Sequence, residues 1–535
     1  MSNLKTALKG YDILNSSGNL DKINNIKLDL TNKPIRSIEG KASKIIFGKA
    51  ADRAELVTRQ YLLMRFADLN LNRQILESIA EPEKGITLKL PAEWRKTISS
   101  HQVNVSKFRS AYHWNHFLLS SLLTHGKLLL RTIYDCVLQI LTIRKTAAKS
   151  MIEEYTYFFS LNGTNFPQPD KAGISHDFVS WYINWSGRNK DVQSIRHNVQ
   201  GQESMYWKGV EISYLDNPFL PLYTRKAILD YFFWCVKAVF TSVISIFTGR
   251  WWNILILEEA IYATKMRYQE TDLIAKEYCF NNSGWIYRPL WTYEAEAKGS
   301  KIHFYFYSTN CETFASTSKK VDFHYGYQSM NWPHYLVWDK YQEDFVRNAA
   351  GIQSNISVVG PIWFATSARE LEKFSEKTIA VFDVQPMRDA FYKTLGISFE
   401  YYVPRVCNQF LSDILEVSKL LNYKMALKRK RDIGRKVHPT YGNFLKDIEN
   451  SDNFVSIDSN ISAIKVIENS SLVISMAFTS TAILGRELNK PSVFYDPLNM
   501  LQKDDGAAHG IQIISGVEDL ALWVKTNIKN TTVLN

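Results

Sequence analysis

Hydroxyl residues stand at the start of a predicted helix near the C-terminal end of the chain. Residues 472–497 predict a buried strand, a helix that opens at Thr479, Ser480 and Thr481, and a second strand. This close succession predicts a βαβ unit with a parallel sheet. Because the first N–H groups of a helix lack intrahelical partners, its start is suited to bind phosphate. The hydroxyls also fit a simple helix cap.

Cationic residues follow another predicted strand, Tyr423 to Leu427. The residues beyond it that could contact phosphate are Lys428, Arg429, Lys430, Arg431, Lys436, His438 and the adjoining Pro439. Ligands of an open α/β sheet lie beyond the carboxyl ends of its strands. The cations and the hydroxyls are therefore predicted to meet at one rim of the sheet.

Four acidic residues are further candidates. Asp383 ends a predicted buried strand, and Asp389 follows after a loop. Glu294 lies in the first turn of a predicted helix between a strand that reaches Arg288 and a second strand, where a general base is one interpretation and a partner of the helix dipole is the other. The alternative interpretation of Asp383 is structural, because an aspartate at the end of a strand is also a common turn residue. Asp458 follows a predicted strand, where a nucleobase or ribose would be bound.

The pairing of Lys436-x-His438-Pro439 with Ser480 and Thr481 resembles the nucleotide-binding half of GT-B glycosyltransferases. It is most similar to bacterial capsule, O-antigen and lipopolysaccharide enzymes that use CMP-activated sugar acids such as Kdo, sialic acid and pseudaminic acid. The resemblance covers roughly the last third of the chain. It implies an α/β fold of two Rossmann-like domains that face each other across a cleft, with helical insertions in the N-terminal part.

The resemblance also implies roles for the candidates. Lys436, His438, Pro439, Ser480 and Thr481, with Thr479, would hold the CMP phosphate. Lys428, Arg429 and Arg431 would hold the same phosphate or the carboxylate of the sugar. Glu294 would deprotonate the acceptor hydroxyl, and Asp383 or Asp389 would be the nucleophile of a retaining enzyme. No cofactor and no metal are implied, because the nucleotide sugar is a substrate.

The composition sets the class of partner. The chain has 535 residues, a formal net charge of +11 and a pI near 9.1, which favour an anionic partner. Its five cysteines show no C-x-x-C pair, and its N-terminus has no apolar signal segment. We therefore expect a cytoplasmic protein with a nucleotide sugar and a glycan or glycolipid acceptor as partners, and with no nucleic acid.

An apolar stretch at residues 228–257 nearly reaches the length of a membrane span. Because Lys237 interrupts it, a span is disfavoured. A helix pair on the surface of an anionic inner membrane, with Trp251 and Trp252 at the headgroup level, is one interpretation, and a buried core helix is the other.

The predicted domains are residues 1–350, on the acceptor side, and residues 351–535, which bind the donor, joined by a hinge at Asn348 to Ser354. Alternative functions stay open. They are a GT-B transferase for CDP-glycerol or a UDP- or GDP-sugar, a nucleic-acid-binding protein that uses residues 428–431, and a non-catalytic scaffold.

Overall fold

Two parallel sheets follow an N-terminal layer of helices. The computed structural model describes residues 4–32, 38, 41–67, 69–142, 154–169, 173, 175–185, 194–281, 287–309, 325–351, 355–362, 371–374, 377–395 and 401–533. The N-terminal helices are α1 (Leu4–Ser16), α2 (Lys22–Asn32), α3 (Lys41–Phe47), α4 (Ala54–Phe66), α5 (Leu69–Ala80), α6 (Ala92–Ser100) and α7 (Lys107–Thr142). Because such helices are marginal alone, packing against one another and against the first sheet stabilises them.

The first sheet has the order β3-β4-β2-β1-β5-β6-β7-β8. Its strands are β1 (Tyr155–Phe158), β2 (Ser194–His197), β3 (Met205–Trp207), β4 (Val210–Tyr214), β5 (Glu277–Asn281), β6 (Lys301–Tyr305), β7 (His334–Val337) and β8 (Asn355–Val358). All neighbours pair in parallel except β3 and β4. Arg288, where a strand was predicted to end, belongs to no strand, and the described strand before α12 is β5; residues 282–286 lie outside the described residues.

Helices connect these strands. They are α8 (Phe178–Asn184), α9 (Arg225–Phe247), α10 (Trp251–Leu255), α11 (Leu257–Tyr268), α12 (Trp291–Ala297), α13 (Tyr325–Gln328) and α14 (Lys340–Ala350). The group α9 to α11 interrupts the alternation of strand and helix between β4 and β5. It is, with the N-terminal layer, the predicted helical insertion.

The second sheet has the order β11-β10-β9-β12-β13-β14, and all its neighbours are parallel. Its strands are β9 (Thr378–Phe382), β10 (Lys424–Lys428), β11 (Phe454–Ile457), β12 (Leu472–Met476), β13 (Ser492–Tyr495) and β14 (Ile513–Ile514). Its helices are α15 (Asp389–Leu395), α16 (Pro404–Leu421), α17 (Pro439–Ile448), α18 (Ala463–Glu468), α19 (Ser480–Glu487) and α20 (Val517–Val533).

Both faces of the second sheet are covered. Every residue of β9 and β12 is buried, as expected for parallel strands between two helical layers. Ala380 and Phe382 of β9 pack with Val466 and Ile467 of α18, while Ile379 belongs to the main core on the opposite face. The predicted α/β fold with two Rossmann-like sheets is confirmed.

The end of the first sheet differs from the prediction. The predicted donor domain, residues 351–535, includes β8, yet β8 pairs along its whole length with β7 of the first sheet. The second sheet therefore begins with β9. Residues 352–354 of the predicted hinge lie outside the described residues.

A buried contact joins the two sheets' domains. Asp339, which follows β7, lies with its Oδ2 2.7 Å from Nδ1 of the fully buried His509 in the second domain. Arg486 of α19 donates a hydrogen bond to the His509 carbonyl at 2.7 Å. The contact therefore connects the first sheet to the helix that opens at the predicted phosphate site.

Candidate functional site

The second sheet reverses its strand order between β9 and β12. From β9 the chain proceeds outward to β10 and β11, and it then crosses to β12 on the other side and continues to β13 and β14. The loops after β9 and β12 diverge at such a point and leave a crevice at the carboxyl ends of the strands. The segment after β9 begins with Asp383, and the segment after β12 leads to Thr479. Parallel strands lie about 4.8 Å apart, so the segment after β10 is an immediate neighbour.

Hydroxyl side chains line the segment between β12 and α19. The Thr479 hydroxyl donates to the Met476 carbonyl at 2.8 Å and lies 3.0 Å from the Thr481 hydroxyl, which is 2.9 Å from Ser475 Oγ. Thr479 therefore does not cap α19 through its side chain. The Ser480 hydroxyl is partly exposed and makes no hydrogen bond with another described residue. The helix start is open to an anionic ligand, since its first N–H groups have no intrahelical partners.

Two further contacts fix this helix start. The Tyr402 hydroxyl donates to the Ala477 carbonyl at 2.5 Å and accepts from the Phe478 N–H at 3.1 Å. At the other end of α19, a Cβ on Gly485 would clash with the side chains of Ser492 and Val473. Only glycine allows the helix to lie this close to β12 and β13, so the position of the hydroxyls relative to the sheet is well defined.

The segments after β9 and β10 are joined by hydrogen bonds. Arg388 N–H donates to the Lys436 carbonyl at 2.9 Å, and His438 N–H donates to the Pro386 carbonyl at 2.8 Å. The Arg388 side chain donates to the Arg435 carbonyl at 2.8 Å. Through these contacts the Lys436-x-His438 element lies beside the crevice rather than extending into solvent.

His438 is the N-cap of α17, and Pro439 is its first residue. His438 Nδ1 accepts a hydrogen bond from the Thr440 N–H at 3.3 Å, so the ring proton of the neutral imidazole is on Nε2. Nε2 lies 3.9 Å from Oδ1 of Asp389, which is 67% exposed. His438 thus presents a donor toward the rim, and a phosphate oxygen is a suitable acceptor.

Asp383 is buried at the end of β9. The Tyr441 hydroxyl of α17 donates to its Oδ2, while Oδ1 accepts no hydrogen bond from another described residue. Burial raises the pKa of Asp383 to about 6, although the Tyr441 hydrogen bond and the charge of Arg429 lower it. The carboxyl group therefore exchanges its proton near neutral pH and also fixes α17, which carries His438.

Cations surround this rim unevenly. Arg431 and Lys436 are exposed, and Lys436 Nζ lies 5.7 Å from the centre of the Phe391 ring. Arg429 is partly exposed and donates to Ser456 at 3.4 Å. Residues 429–436 hold five cations and one acid, so the segment is a strong local source of positive charge.

Lys428 has a different role from the one predicted. It is the last residue of β10 and is buried, and its ammonium donates to the carbonyls of Arg429 at 2.8 Å and Ser459 at 2.9 Å. Burial lowers its pKa, although the charges of Asp458 and Asp432 raise it. Because it is committed to these carbonyls, Lys428 fixes the loops after β10 and β11 and is not directed at the rim.

Asp458 organises its own loop. Its Oδ1 accepts hydrogen bonds from the N–H and the side-chain amide of Asn460 at 2.8 and 2.9 Å. This is an Asx turn beyond β11, which is separated from β12 by the two strands β10 and β9. The residue is exposed, as a contact with the nucleoside part of a ligand requires.

Glu294 lies apart from this rim. Its side chain is 2% exposed, and its Oε1 accepts hydrogen bonds from the Arg267 guanidinium at 2.6 Å and from the Lys49 N–H at 2.9 Å. Gly48 lies so close to both side chains that a Cβ on it would clash with the Arg267 guanidinium and with Oε1 of Glu294. The carboxylate is neutralised by α11 and by the turn after α3, so in this structure it is a structural ion-pair partner rather than an accessible base.

Sequence reasoning missed the residues that support the site. Tyr441 follows His438 by three positions, so helical periodicity after Pro439 would have placed both on α17. Arg388 stands one position before the candidate Asp389. Tyr402 is 75 residues from the loop it contacts, and no local pattern indicates that contact.

A comparison with protein families decides the family. Residues 234–524, more than half of the chain, match the family described as polysaccharide biosynthesis PFTS motif protein. The chain belongs to this family. The match runs from within α9 to within α20 and includes every residue of the rim described above. Membership assigns the protein to polysaccharide biosynthesis.

Solved structures with related folds are distant. A variant of the wall teichoic acid polymerase TagF is 13% identical over 78% of this chain and 90% of its own, with a TM-score of 0.37. A UDP-N-acetylglucosamine 2-epimerase from Listeria monocytogenes is 8% identical over 71% and 89%, with a TM-score of 0.32. Medicago truncatula UGT71G1, complexed with UDP-glucose, is 9% identical over 71% and 93%, with a TM-score of 0.33. No curated protein matches. Likeness at this level carries no activity over to this chain.

Proposed function

We propose that the protein is a glycosyltransferase that takes a sugar from a nucleotide-activated donor and transfers it to a glycan acceptor during polysaccharide biosynthesis. The observation that carries this proposal is that three anion-binding features follow β10 and β12, the two strands that border β9 at the reversal of strand order. They are the open start of α19 with Ser480, the donor Nε2 of His438, and the cationic segment after β10. Each binds phosphate by ordinary chemistry, and together they fit the diphosphate or monophosphate of a nucleotide sugar.

The donor that we propose is a CMP-activated sugar acid. This proposal is supported by the Lys436-x-His438-Pro439 element, which follows β10, together with Ser480 and Thr481, which follow β12. Both strands border β9. A sugar acid brings a second negative charge. We propose that Arg429 and Arg431 pair with its carboxylate, because a guanidinium binds a carboxylate through two parallel hydrogen bonds.

The transfer step breaks the bond between the anomeric carbon and the phosphate oxygen and forms a bond to the acceptor oxygen. Negative charge then develops on the departing phosphate. His438, Ser480 and the N–H groups of α19 would stabilise that charge, and a preorganised donor of this kind contributes about 3 to 4 kcal/mol to a transition state.

A carboxylate is needed for the acceptor side of the reaction. It would take the proton of the acceptor hydroxyl in an inverting reaction, or attack the anomeric carbon in a retaining one. Of the three predicted acids, Glu294 is engaged with Arg267 and Asp383 is buried with Tyr441, whereas Asp389 is exposed beside His438. We therefore assign this role to Asp389, with Asp383 as the residue that positions α17.

The acceptor that we propose is a lipid-linked glycan at the cytoplasmic face of the inner membrane. A lipid anchor holds such an acceptor at the surface of the bilayer. An enzyme that acts on it gains from a stable contact with that surface.

Thermal stabilisation by nucleotides tests the donor class. The purified protein is heated with CMP, CDP, UDP or GDP, and a ligand at 100 times its Kd should stabilise the fold by about 2.7 kcal/mol. We expect the largest shift with CMP. A shift only with CDP, UDP or GDP would assign the donor to that nucleotide, and no shift with any of the four would contradict the transferase proposal. Binding of generic DNA instead would favour a nucleic-acid partner.

Matched variants test whether the stabilisation arises at this rim. Ser480→Ala removes a hydroxyl that has no partner among the described residues, so the unliganded protein should keep its melting temperature while the CMP shift decreases. Thr224→Ala removes the hydroxyl that caps α9 in the other domain. This control should cost about 1 kcal/mol of stability and leave the CMP shift unchanged.

A further inference from the structure

Helix α7 carries an unusually long exposed apolar stripe. Phe108, Leu119, Leu130 and Leu141 recur at 11-residue intervals, and each is more than half exposed. Tyr112, Leu123 and Tyr134 recur at the same interval one turn farther along, and they are equally exposed. An 11-residue repeat closes almost completely on three helical turns, so the stripe runs straight along the helix. At roughly 1.5 Å per residue, it extends for about 50 Å.

Helix α9 carries a second stripe of the same kind. Its exposed residues Leu229, Phe233, Phe240, Ile244 and Phe247 follow helical spacing on one face. Among the described residues, α9 is the helix long and apolar enough to span a membrane by length and composition.

The two helices are packed against each other in antiparallel orientation. Cys136 near the end of α7 lies close enough to Cys235 in the middle of α9 to influence its pKa, while Trp114 near the start of α7 contacts Trp251 just beyond the end of α9 at a ring distance of 5.6 Å. Their exposed stripes together form a surface that we call the α7–α9 face.

The opposite side of α9 is fastened to the protein. The Tyr231 hydroxyl donates to the Ile261 carbonyl at 3.1 Å, and the Trp234 indole donates to the Ile45 carbonyl at 2.9 Å. Spanning a bilayer would break these contacts and immerse Lys237 in hydrocarbon. Trp251 and Trp252, predicted at the headgroup level, are both buried in the core. The helix therefore lies along a surface and does not cross it.

The charges beside the α7–α9 face are predominantly basic. On α9 the exposed Arg225, Lys226 and Lys237 share the side of the apolar stripe. On α7 the exposed residues Arg109, Lys127 and Arg131 lie about a quarter of a turn around the helix axis from the apolar stripe. The exposed acid Asp135 lies farther from the stripe in the same direction around the axis. Arg65, Lys89 and His113 contribute to a cavity of about 260 Å³ beside the first turns of α7. Apolar residues bordered by cations are complementary to anionic phospholipid.

We propose that the α7–α9 face lies on the surface of an anionic phospholipid membrane, with its apolar side chains at the level of the upper acyl chains. The face consists of the α7 and α9 stripes and the cations that border them. Exposed apolar area of this length on a water-soluble surface is unfavourable, and lipid removes it from water. The inference concerns a surface of the first domain and does not depend on which nucleotide binds the second.

Cosedimentation with vesicles tests this surface. The full chain is mixed with vesicles of phosphatidylcholine alone, or of equimolar phosphatidylcholine and phosphatidylglycerol. We expect binding to the anionic vesicles that weakens with salt. The double variants Phe233→Glu/Phe240→Glu on α9 and Leu123→Glu/Leu130→Glu on α7 should each lower the partition coefficient at least about tenfold, because each removes two side chains from the apolar contact.

Two exposed leucines outside the face give a matched control. Leu420 on α16 and Leu522 on α20 have exposures similar to those of the substituted residues. The variant Leu420→Glu/Leu522→Glu should bind anionic vesicles as the wild type does. Circular dichroism and melting temperature show that each variant is folded, and nucleotide-induced stabilisation in the variants separates loss of this surface from loss of the donor site.

Three results would overturn the proposal. They are wild-type protein that does not bind the anionic vesicles, variants of the face that bind as strongly as the wild type, and a lipid-free dimer that the same substitutions dissociate. The third result, measured by analytical ultracentrifugation, would assign the face to a second copy of the chain.

Discussion

Two buried carboxylates, Glu294 in the first domain and Asp383 in the second, have opposite electrostatic surroundings. Glu294 accepts hydrogen bonds from the Arg267 guanidinium and a backbone N–H, so its charge is compensated. Asp383 has the neutral Tyr441 hydroxyl on one oxygen, and its other oxygen accepts nothing from the described residues. Both lie in helical or strand-end positions that sequence patterns associate with catalysis.

The difference shows what burial does to an acid with and without a cation in contact. A buried carboxylate in contact with a cation stabilises the fold, so its removal lowers the free energy of unfolding. Without one, burial raises the pKa, as for Asp383 with its value of about 6, and the group stays able to exchange a proton. Acids of the second kind are the ones associated with functional sites.

Removal of Glu294 should have the largest effect on stability. Glu294→Leu leaves the Arg267 charge and the Lys49 N–H without their partner, and the loss of one member of a buried pair costs about 4 kcal/mol. Urea unfolding measures this loss. Glu154 pairs with Lys276 at 2.6 Å on the surface, and Glu154→Leu should cost less than about 1 kcal/mol. Equal losses for the two variants would contradict the structural role of Glu294.

Neutralisation of Asp383 should act in the opposite direction. A raised pKa means that the folded state prefers the protonated acid, so this group's contribution to stability is greatest below pH 4 and is lost as the pH rises through about 6. Asp383→Asn should therefore become more stable than the wild type above pH 6, by about 2 to 3 kcal/mol. Unfolding between pH 4 and pH 8 measures the difference. A variant that is less stable than the wild type at pH 8 would show that the charge is compensated after all.

Removal of the Tyr441 hydroxyl sharpens the same comparison. Tyr441→Phe deletes the hydrogen bond that lowers the pKa of Asp383, so that pKa should rise above its present value of about 6. The variant should also lose about 1.5 kcal/mol of stability, because a buried acceptor loses its donor. Titration of the carboxyl carbon by NMR follows the pKa. An unchanged midpoint would exclude Tyr441 as its partner.

A third acid, Asp339, tests an intermediate case at the domain contact. Burial raises its pKa, but the hydrogen bond and charge of His509 outweigh this and leave the pKa below its usual value. The stabilisation is therefore present above the unfolded value near pH 4 and is lost as the pH falls through the native value. Asp339→Asn should cost about 1 kcal/mol at pH 7 and nearly nothing at pH 2 to 3. A cost independent of pH would point to packing rather than charge.

Local patterns predicted the elements of the second domain well. The apolar runs of β9, β10 and β12 and the start of α19 lie within a residue or two of their predicted places, because hydrophobic periodicity and capping residues are encoded locally. The placement of the loops after β10 and β12 on either side of β9 agrees with the rule for parallel sheets, and the binding role of this rim stays a prediction. His438 and Ser480 could be proposed as candidates from local sequence alone, because neither assignment depends on a residue far away in the sequence.

Side-chain partners far apart in sequence could not be predicted. Lys428 was interpreted as a phosphate ligand, but Ser459 accepts from it across 31 residues. Glu294 was interpreted as a base, but Arg267 lies one helix earlier. The assignment of β8 failed for a similar reason, since a strand of four residues carries little information about which sheet it joins. Burial and pairing in each case depend on the whole fold.

The affinity of His438→Asn for the nucleotide that most stabilises the wild type tests the central claim most directly. Asparagine is a good N-cap, so α17 should keep its start and the variant its melting temperature, while the Nε2 donor to phosphate is lost. Isothermal titration should show a Kd at least about tenfold weaker than that of the wild type, as expected for one hydrogen bond to a charged group. A folded variant with wild-type affinity would contradict the assignment of this rim as the donor site.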